Sequence, residues 1–409
     1  MHSPHIYTLI LGLHLLFVTS SYGESSVDLG VTLTGEYGAR LNTPTTAHPR
    51  TEQRAVLSVP ISVDTSKLLD VNLGMISAQG LFIKEDPQLA QGLTLVDDVH
   101  AYSNLRAEDR AQLFEIYWER AWGSWLTRVG KLDANDHFAV SEHEAYLING
   151  AGGFSPSIFG LPSYPDSAWS AQVSYHMPRV DLLAGVFDGG STTLNPSSTG
   201  SMMWLSPSAQ KGRLFWIGQV TAHLGSLYDR DQQPTGDERL RPQQSDRGFQ
   251  ARAPLHLTLG AWTHQGEVVS TPSTTTGQSN GRPSGGVYLT GDLSITRFNQ
   301  GSELGLGFQA AFSPAYYPLH ASVALTVDDL IAPILWSETG LKVALGLSHI
   351  EIDEGAQGFG LGTSSEELIE LSLALPISPY VLFGLTGMSI LMEREHAHLI
   401  VSRLTVGIL

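Results

Sequence analysis

From Val27 to its C-terminal end the chain alternates apolar and polar residues with a period of two, and no other feature limits the fold as strongly. Val27, Leu29, Val31 and Leu33 interleave with Asp28, Gly30, Thr32 and Thr34. The pattern recurs over residues 55–63, 71–83, 114–122, 125–132, 168–177, 180–187, 214–224, 255–264, 287–296, 304–312, 321–327, 341–352, 368–375, 381–391 and 398–409, mostly bounded by Gly, Pro, Asn, Asp or Ser. That spacing predicts about 16 strands of roughly 7–13 residues each, hence an all-β protein. No helical stripe longer than two turns interrupts them.

Alternation alone fits a soluble sandwich as well as a membrane barrel, and the contents of the two faces separate them. In 168–177, Ala168, Ser170, Gln172, Ser174 and His176 share one face, with Trp169, Ala171, Val173 and Tyr175 on the other. In 255–264, Leu255, Leu257, Leu259 and Ala261 oppose His256, Thr258, Gly260, Trp262 and His264. In 114–122, Phe114, Ile116, Trp118 and Trp122 oppose Glu115, Tyr117 and Glu119. A sandwich buries its apolar face; a barrel in lipid turns that face outward and lines its lumen with the polar one.

Three features favour the barrel. Trp122, Trp125, Trp169, Tyr175, Trp216 and Tyr380 stand at or near strand ends, as an interfacial girdle requires. Very short connections (Gly123-Ser124, Pro178-Arg179, Asn299-Gln300-Gly301) coexist with long ones (84–109, 133–166, 189–211, 228–246), as in barrels with turns on one side and loops on the other. About 16 strands close into a barrel wide enough for water. The expected fold is a transmembrane antiparallel β-barrel of about 16 strands with short periplasmic turns and long extracellular loops. The polar, low-complexity run 265–283 reads as an exposed loop, because strand periodicity resumes at Gly286.

Residues 1–23 hold a short apolar core followed by Ser21-Tyr22-Gly23 and read as a signal peptide, which leaves 24–409 as the barrel. No later stretch holds 18 consecutive apolar residues, so no transmembrane helix is offered. The absence of cysteine excludes disulfide and thiol chemistry. A formal charge of −17 with five lysines argues against nucleic acid as a partner, since phosphate binding needs a basic surface.

Residues 113–190 carry the most specific signal. Phe114-Glu115-Ile116-Tyr117-Trp118-Glu119 is followed by Arg128-Val129-Gly130-Lys131-Leu132-Asp133-Ala134-Asn135, by Phe138-Ala139, by Asn149-Gly150 and by Ala184-Gly185-Val186-Phe187-Asp188-Gly189. In this order they resemble the carbohydrate-selective porins of the OprB family. That family has a Tyr/Trp-rich strand ending in an acid, a G-x-L-D-A-N turn, a Phe-Ala pair and an A-G-V-F-D-G strand end. Ser103-Asn104, Lys67-Leu68-Leu69, and Gly260-Ala261-Trp262 with His264 and Gly266 are similar to further family segments. The resemblance is clear over about the middle third of the chain. It implies a 16-stranded barrel in the outer membrane of a Gram-negative bacterium, passing small sugars or other small solutes passively. Its other implied partners are outer-membrane lipid and, in a homo-oligomer, further copies of the chain; no cofactor is implied.

A sugar channel needs groups that replace water on hydroxyls, and charges held by counter-charges. In a hairpin turning at Gly123-Ser124, positions whose numbers sum to about 247 lie opposite, which sets Glu119 beside Arg128 on the face of Glu115 and Tyr117. These four, with Asp133 and Asn135 on the following loop, are the candidate pore-lining residues. The plainer account of Glu119 and Arg128 is an ion pair that braces the wall. For Asp133, Asn135 and Asp136 it is a turn that satisfies its own backbone. Asp188 has the same status, and His176, His256 and His264 read as polar wall residues. His396 and His398 with Glu393 and Glu395 read as a solvated turn, for want of a further metal ligand.

Gly305-Leu306-Gly307 lies in an alternating strand with no helix after it, so it is no dinucleotide fingerprint. Gly277-Gln278-Ser279-Asn280-Gly281 sits in the low-complexity run and is no nucleophile elbow. No catalytic, cofactor-binding or metal-binding residue is expected. A second reading stands beside the channel: a non-conducting outer-membrane or secreted β protein with a structural or glycan-binding role.

Overall fold

The computed structural model describes residues 26–42, 49–69, 73–86, 99–100, 102–107, 109–158, 160–189, 214–224, 255–268, 282–298, 302–314, 317–330, 340–353, 364–393 and 395–408. The expected signal peptide, the loop 228–246 and residues 269–281 of the low-complexity run lie outside the described residues.

Seventeen strand segments form one antiparallel sheet. The first two, Val27–Leu29 and Val31–Arg40, lie end to end along the same neighbour and make one strand, β1, interrupted at Gly30. The others are β2 (Thr51–Asp64), β3 (Met75–Glu85), β4 (Arg110–Trp122), β5 (Trp125–Leu132), β6 (Ala168–His176), β7 (Val180–Asp188) and β8 (Leu214–Leu224). There follow β9 (Leu255–Val268), β10 (Arg282–Phe298), β11 (Ser302–Phe312), β12 (Leu319–Asp328), β13 (Lys342–Glu351), β14 (Ser365–Ser378), β15 (Val381–Met392) and β16 (His396–Ile408). Each strand pairs with the next, and β16 returns to β1 from Leu399 opposite Arg40 to Ile408 opposite Val31. Sixteen strands therefore close into a barrel. Closure pairs every strand edge, which the hydrocarbon core of a bilayer demands because it offers backbone groups no water.

The two faces divide as the alternation requires. Val129, Val173, Leu259, Leu345 and Leu371 point outward, and Leu259 keeps 60% of its surface exposed on a face with no protein over it. Glu119, Gln172, Thr258, Gln309 and Ser372 point inward and are buried. A girdle gathers where β4, β5 and β6 meet the short turns: Trp118 lies 6.2 Å from Trp122, and Trp125 lies 4.6 Å from Tyr175. The Arg120 guanidinium sits 5.4 Å over the Trp122 ring, a cation held at interface depth.

The turns Gly123-Ser124, Pro178-Arg179 and the 379–380 turn share one rim with the start of β1 and the end of β16. The longer connections 86–109, 133–167 and 189–213 leave from the opposite rim. One departure stands out. Leu224 and Leu255, which bracket residues 225–254, are paired at the short-turn rim.

Two local expectations are corrected. Phe114 does not share the outward face of Trp118. A β-bulge sets Leu113 opposite Gly80 and Glu115 opposite Gln79, so Phe114 is the extra residue. It turns inward with Glu115, against Val56, Leu81 and Ile83. Strand β3 begins at Met75 rather than at 71, because Asp64 caps a one-turn helix over Thr65–Leu69 through the Ser66 N–H (2.9 Å).

The lipid face sets a stability test. Leu259→Arg should cost about 2–4 kcal/mol if its site lies near the bilayer midplane, measured by urea unfolding in vesicles. Thr221→Ser, inward on the adjacent strand, should stay within about 0.5 kcal/mol.

Candidate functional site

A barrel of sixteen strands encloses more space than a small solute needs, and the β5–β6 connection fills much of it. Residues 133–167 do not project from the rim; they run along the inner wall. Asp133 makes the first anchor: its N–H donates to Glu115 Oε1 (2.7 Å). Its carboxylate accepts from the Asn135 N–H (2.7 Å) and the Tyr164 N–H (3.0 Å). On β8, Gln219 accepts from the Ala139 N–H (3.2 Å) and donates to the His137 carbonyl (3.1 Å). On β10, Asp292 accepts from Ser141 Oγ (2.9 Å) and the His143 N–H (3.0 Å). On β14, Glu370 accepts from the Ile148 N–H (2.7 Å) and from Asn149 Nδ2 (2.6 Å). The segment is thus tied to the wall from β4 to β14.

Apolar packing completes the seat. Leu132, Phe138, Ala139, Ile158 and Leu161 bury themselves against Phe187, Phe215, Trp262 and Tyr288, which face inward. The lumen is therefore not lined by polar groups throughout: where the segment lies, the inner wall is apolar. Wall glycines admit it. A Cβ on Gly305 would overlap the His143 ring, and one on Gly307 would lie 2.6 Å from Ser141 Oγ. At the entry to the segment Gly130 has φ +151°, and a Cβ there would overlap the Ile116 carbonyl and the Tyr117 backbone.

A second inward segment comes from the β3–β4 connection. His100 is held between Glu366 and Ser348, and its Nε2 lies 2.8 Å from Ser348 Oγ. The Asn104 N–H donates to the Ile148 carbonyl (2.6 Å), which ties the two segments together. Tyr102 meets Arg54, which also pairs with Glu36 (3.0 Å), Glu52 (2.5 Å) and Glu85 (3.2 Å). Arg403 adds a bond to Glu36 (2.6 Å) and donates to Asn104 Oδ1 (2.9 Å). Each buried guanidinium is thus matched by carboxylates, as a low-dielectric site requires.

The six candidate residues separate into two groups. Glu119 and Arg128 are register partners joined by an ion pair, and the Arg128 side chain keeps 17% exposure. Tyr117 lies on the same face, packed against the apolar seat. Glu115 and Asp133 are buried and bonded to each other. Asn135 Nδ2 donates to the Gly153 carbonyl (3.2 Å) within the segment. Next to them Asp136 is exposed, and Arg128 acts electrostatically on both Asp136 and His137. Burial and that guanidinium hold His137 well below the ordinary imidazole range, so it presents a neutral ring. Of the other weighed residues, Glu395 pairs with Arg40 (2.5 Å) and His398 lies 2.9 Å from Ser389 Oγ.

Glu144, Asp292, Glu370 and Arg54 were not among the candidates. Their signal is a polar residue at every second or fourth position of an apolar strand, as in Glu366, Glu370 and Ser372 among Ile369, Leu371 and Leu373. Glu144 lies in the inserted segment and carries no such mark.

The comparisons with known proteins fit this geometry. A model described as "Carbohydrate-selective porin, OprB family" matches residues 49–329. The chain belongs to the OprB family. No curated protein sequence matches it. Among solved structures, OprB of Pseudomonas putida at high pH is similar, with 12% identity, 94% of each chain covered and a TM-score of 0.72. The same protein at low pH gives 10% identity, 100% of this chain and 98% of that one, and a TM-score of 0.54. OmpT of Vibrio cholerae in its trimer form gives 10% identity, 93% of this chain and 99% of that one, and a TM-score of 0.52. At such identities the likeness is one of fold. With the family match, it makes this chain an outer-membrane porin of a Gram-negative bacterium, a channel for passive diffusion.

The seat of the inserted segment should respond to pH. Glu144 accepts from Ser322 Oγ (2.9 Å to each oxygen) and from Gln309. Burial pushes its carboxyl up to about 8, and the Asp292 charge adds to the push. A raised carboxyl pKa means that the folded seat holds the proton more tightly than the open one. Its contribution is fully present below about pH 4.5 and lost as pH rises through about 8. The protection of amides over 141–151 against hydrogen exchange, measured relative to the intrinsic base-catalysed rate, should therefore fall between pH 6 and pH 9, and Glu144→Gln should flatten that response. Gly305→Val should expose the same stretch to protease at any pH.

Proposed function

We propose that this porin passes small carbohydrates through the part of the lumen left open by residues 133–167, and that Glu119, Arg128 and Tyr117 meet the solute there. The observation that supports this most is the Glu119–Arg128 pair beside exposed Asp136 and neutral His137. An ion pair, a carboxylate, an imidazole and a phenol hydroxyl can replace water on sugar hydroxyls, and the one net negative charge lies beside the Arg128 guanidinium. Glu115, Asp133 and Asn135 serve in this reading to place the segment rather than to touch solute. Their bonds go to backbone groups of the segment itself.

The reading also takes residues 1–23 as a signal peptide removed from the 24–409 barrel. It allows a homo-oligomer, as the trimer form of OmpT suggests. It assigns transport and no catalysis. Its rival is a non-conducting barrel with a structural or glycan-binding role.

Purified protein in planar bilayers should open in discrete conductance steps that mono- or oligosaccharides reduce. Folded protein with no pore activity would favour the non-conducting rival. Glu119→Gln and Arg128→Gln should each change ion selectivity and sugar block severalfold, whereas outward-facing Ile116→Val should change neither. Equal effects from all three would refute the assignment of faces.

A further inference from the structure

A row of titratable groups lines the inward face near the short-turn rim and borders the seat of the inserted segment at Asp292. His176 ends β6, Asp181 stands near the start of β7, His223 near the end of β8 and His256 near the start of β9. Alternating strand directions bring all four to one end of the barrel. Register fixes them: His176 lies opposite Asp181, His223 opposite His256, and His256 opposite Asp292 on β10. His176 Nδ1 lies 2.9 Å from Asp181 Oδ1, and His223 Nε2 lies 2.8 Å from Asp181 Oδ2. The His223 and His256 rings meet edge to face at 4.9 Å.

Unlike the buried seat, this row is open to water: the side chains of His176, Asp181 and His223 are 38%, 31% and 19% exposed. Among the described residues no three such donors stand where they could hold a metal ion. Imidazoles facing water and sharing a carboxylate do answer to a proton, because histidine changes charge within the physiological pH range.

We propose that His176, Asp181, His223 and His256 form a proton-titrated selectivity site for small ions and charged solutes at the short-turn mouth. It rests on the diffusion-channel reading. With the three imidazoles neutral the row carries the single negative charge of Asp181 and favours cations. With all three protonated it carries two positive charges and favours anions. Charged neighbours modulate the row but do not replace it. The same wall presents Arg128 on β5, Arg179 in the turn, and Asp188 and His264 at the far ends of β7 and β9. Opposite stand Asp292 and, on the inserted segment, Asp136, His137, Glu142 and His143. Among the described residues, the row combines three imidazoles with a carboxylate on a partly water-exposed face.

The full chain, its folding checked by heat-modifiable gel mobility, should be reconstituted under a potassium chloride gradient and its reversal potential read from pH 8 to pH 5. The chloride-over-potassium permeability ratio should rise about sevenfold per added charge, because a unit charge at about 7 Å in water favours one ion and disfavours the other by about threefold each. His176→Gln/His223→Gln/His256→Gln should hold the ratio nearly constant over that range. Asp181→Asn should raise it already at pH 8, so that a misfolded triple variant does not decide the matter. An unchanged pH response in the triple variant, or an unchanged ratio in Asp181→Asn, overturns the proposal and leaves the channel standing. No conductance from folded wild-type protein would remove the channel reading and the proposal together.

Discussion

Carboxylates on the inner wall accept the backbone N–H groups of the inserted segments, and the shape of the lumen depends on those bonds. Glu115 receives the Asp133 N–H, Asp292 that of His143, Glu370 those of Ile148 and Asn149, and Glu366 those of Val99 and His100. A loop inside a barrel must find partners for its peptide groups without a ladder of its own, since a buried N–H left unpaired costs about 1–3 kcal/mol. One carboxylate offers two oxygens and several lone pairs, so a single wall residue serves two or three donors. Three strands spaced around the barrel, β4, β10 and β14, supply these acceptors. The segments are fixed at several points rather than hinged at two.

Apolar contact contributes beside those bonds. Inward Phe187, Phe215, Trp262 and Tyr288 would meet water in an empty barrel, and the segment covers them with Phe138, Ile158 and Leu161. On the far side Leu368, Met388, Ile390, Leu399 and Val401 are covered around Tyr102. The barrel therefore has lipid outside and several small protein cores inside. Removing the segment would expose both the carboxylates and the aromatics to the lumen. That double dependence is why a glycine such as Gly305, with no side chain to offer, matters at the seat.

The barrel was legible because a period of two with an outward apolar face is repeated sixteen times, and each repeat constrains the others. The pairing of Glu119 with Arg128 was legible for a related reason: a two-residue turn leaves one register, and the sum rule picks the partners. Phe114 was not legible, because a bulge shifts one residue without altering the surrounding pattern. The roles of Glu115 and Asp133 were hidden as well. Their positions on a polar face suit a pore lining equally well, and only the path of residues 133–167 in space turns them into anchors. Glu144 lay beyond reach for the opposite reason, since its partners Gln309 and Ser322 come from strands more than 160 residues away.

The two ends of the lumen follow from how water is distributed between them. Toward the long-connection rim the inserted segments, their carboxylates and the apolar cores exclude water, so charges there must be matched, as Arg54 is by three glutamates. Toward the short-turn rim the described side chains of His176, Asp181 and His223 keep part of their surface in water, and charges there are partly screened. A buried charge fixes structure because changing it breaks the seat, whereas an open charge can change without cost to the fold. The proposed selection between solutes that differ in hydroxyl pattern therefore falls in the narrowed part beside Arg128. The proposed selection between solutes that differ in sign falls at the other mouth, where His176, Asp181 and His223 stand.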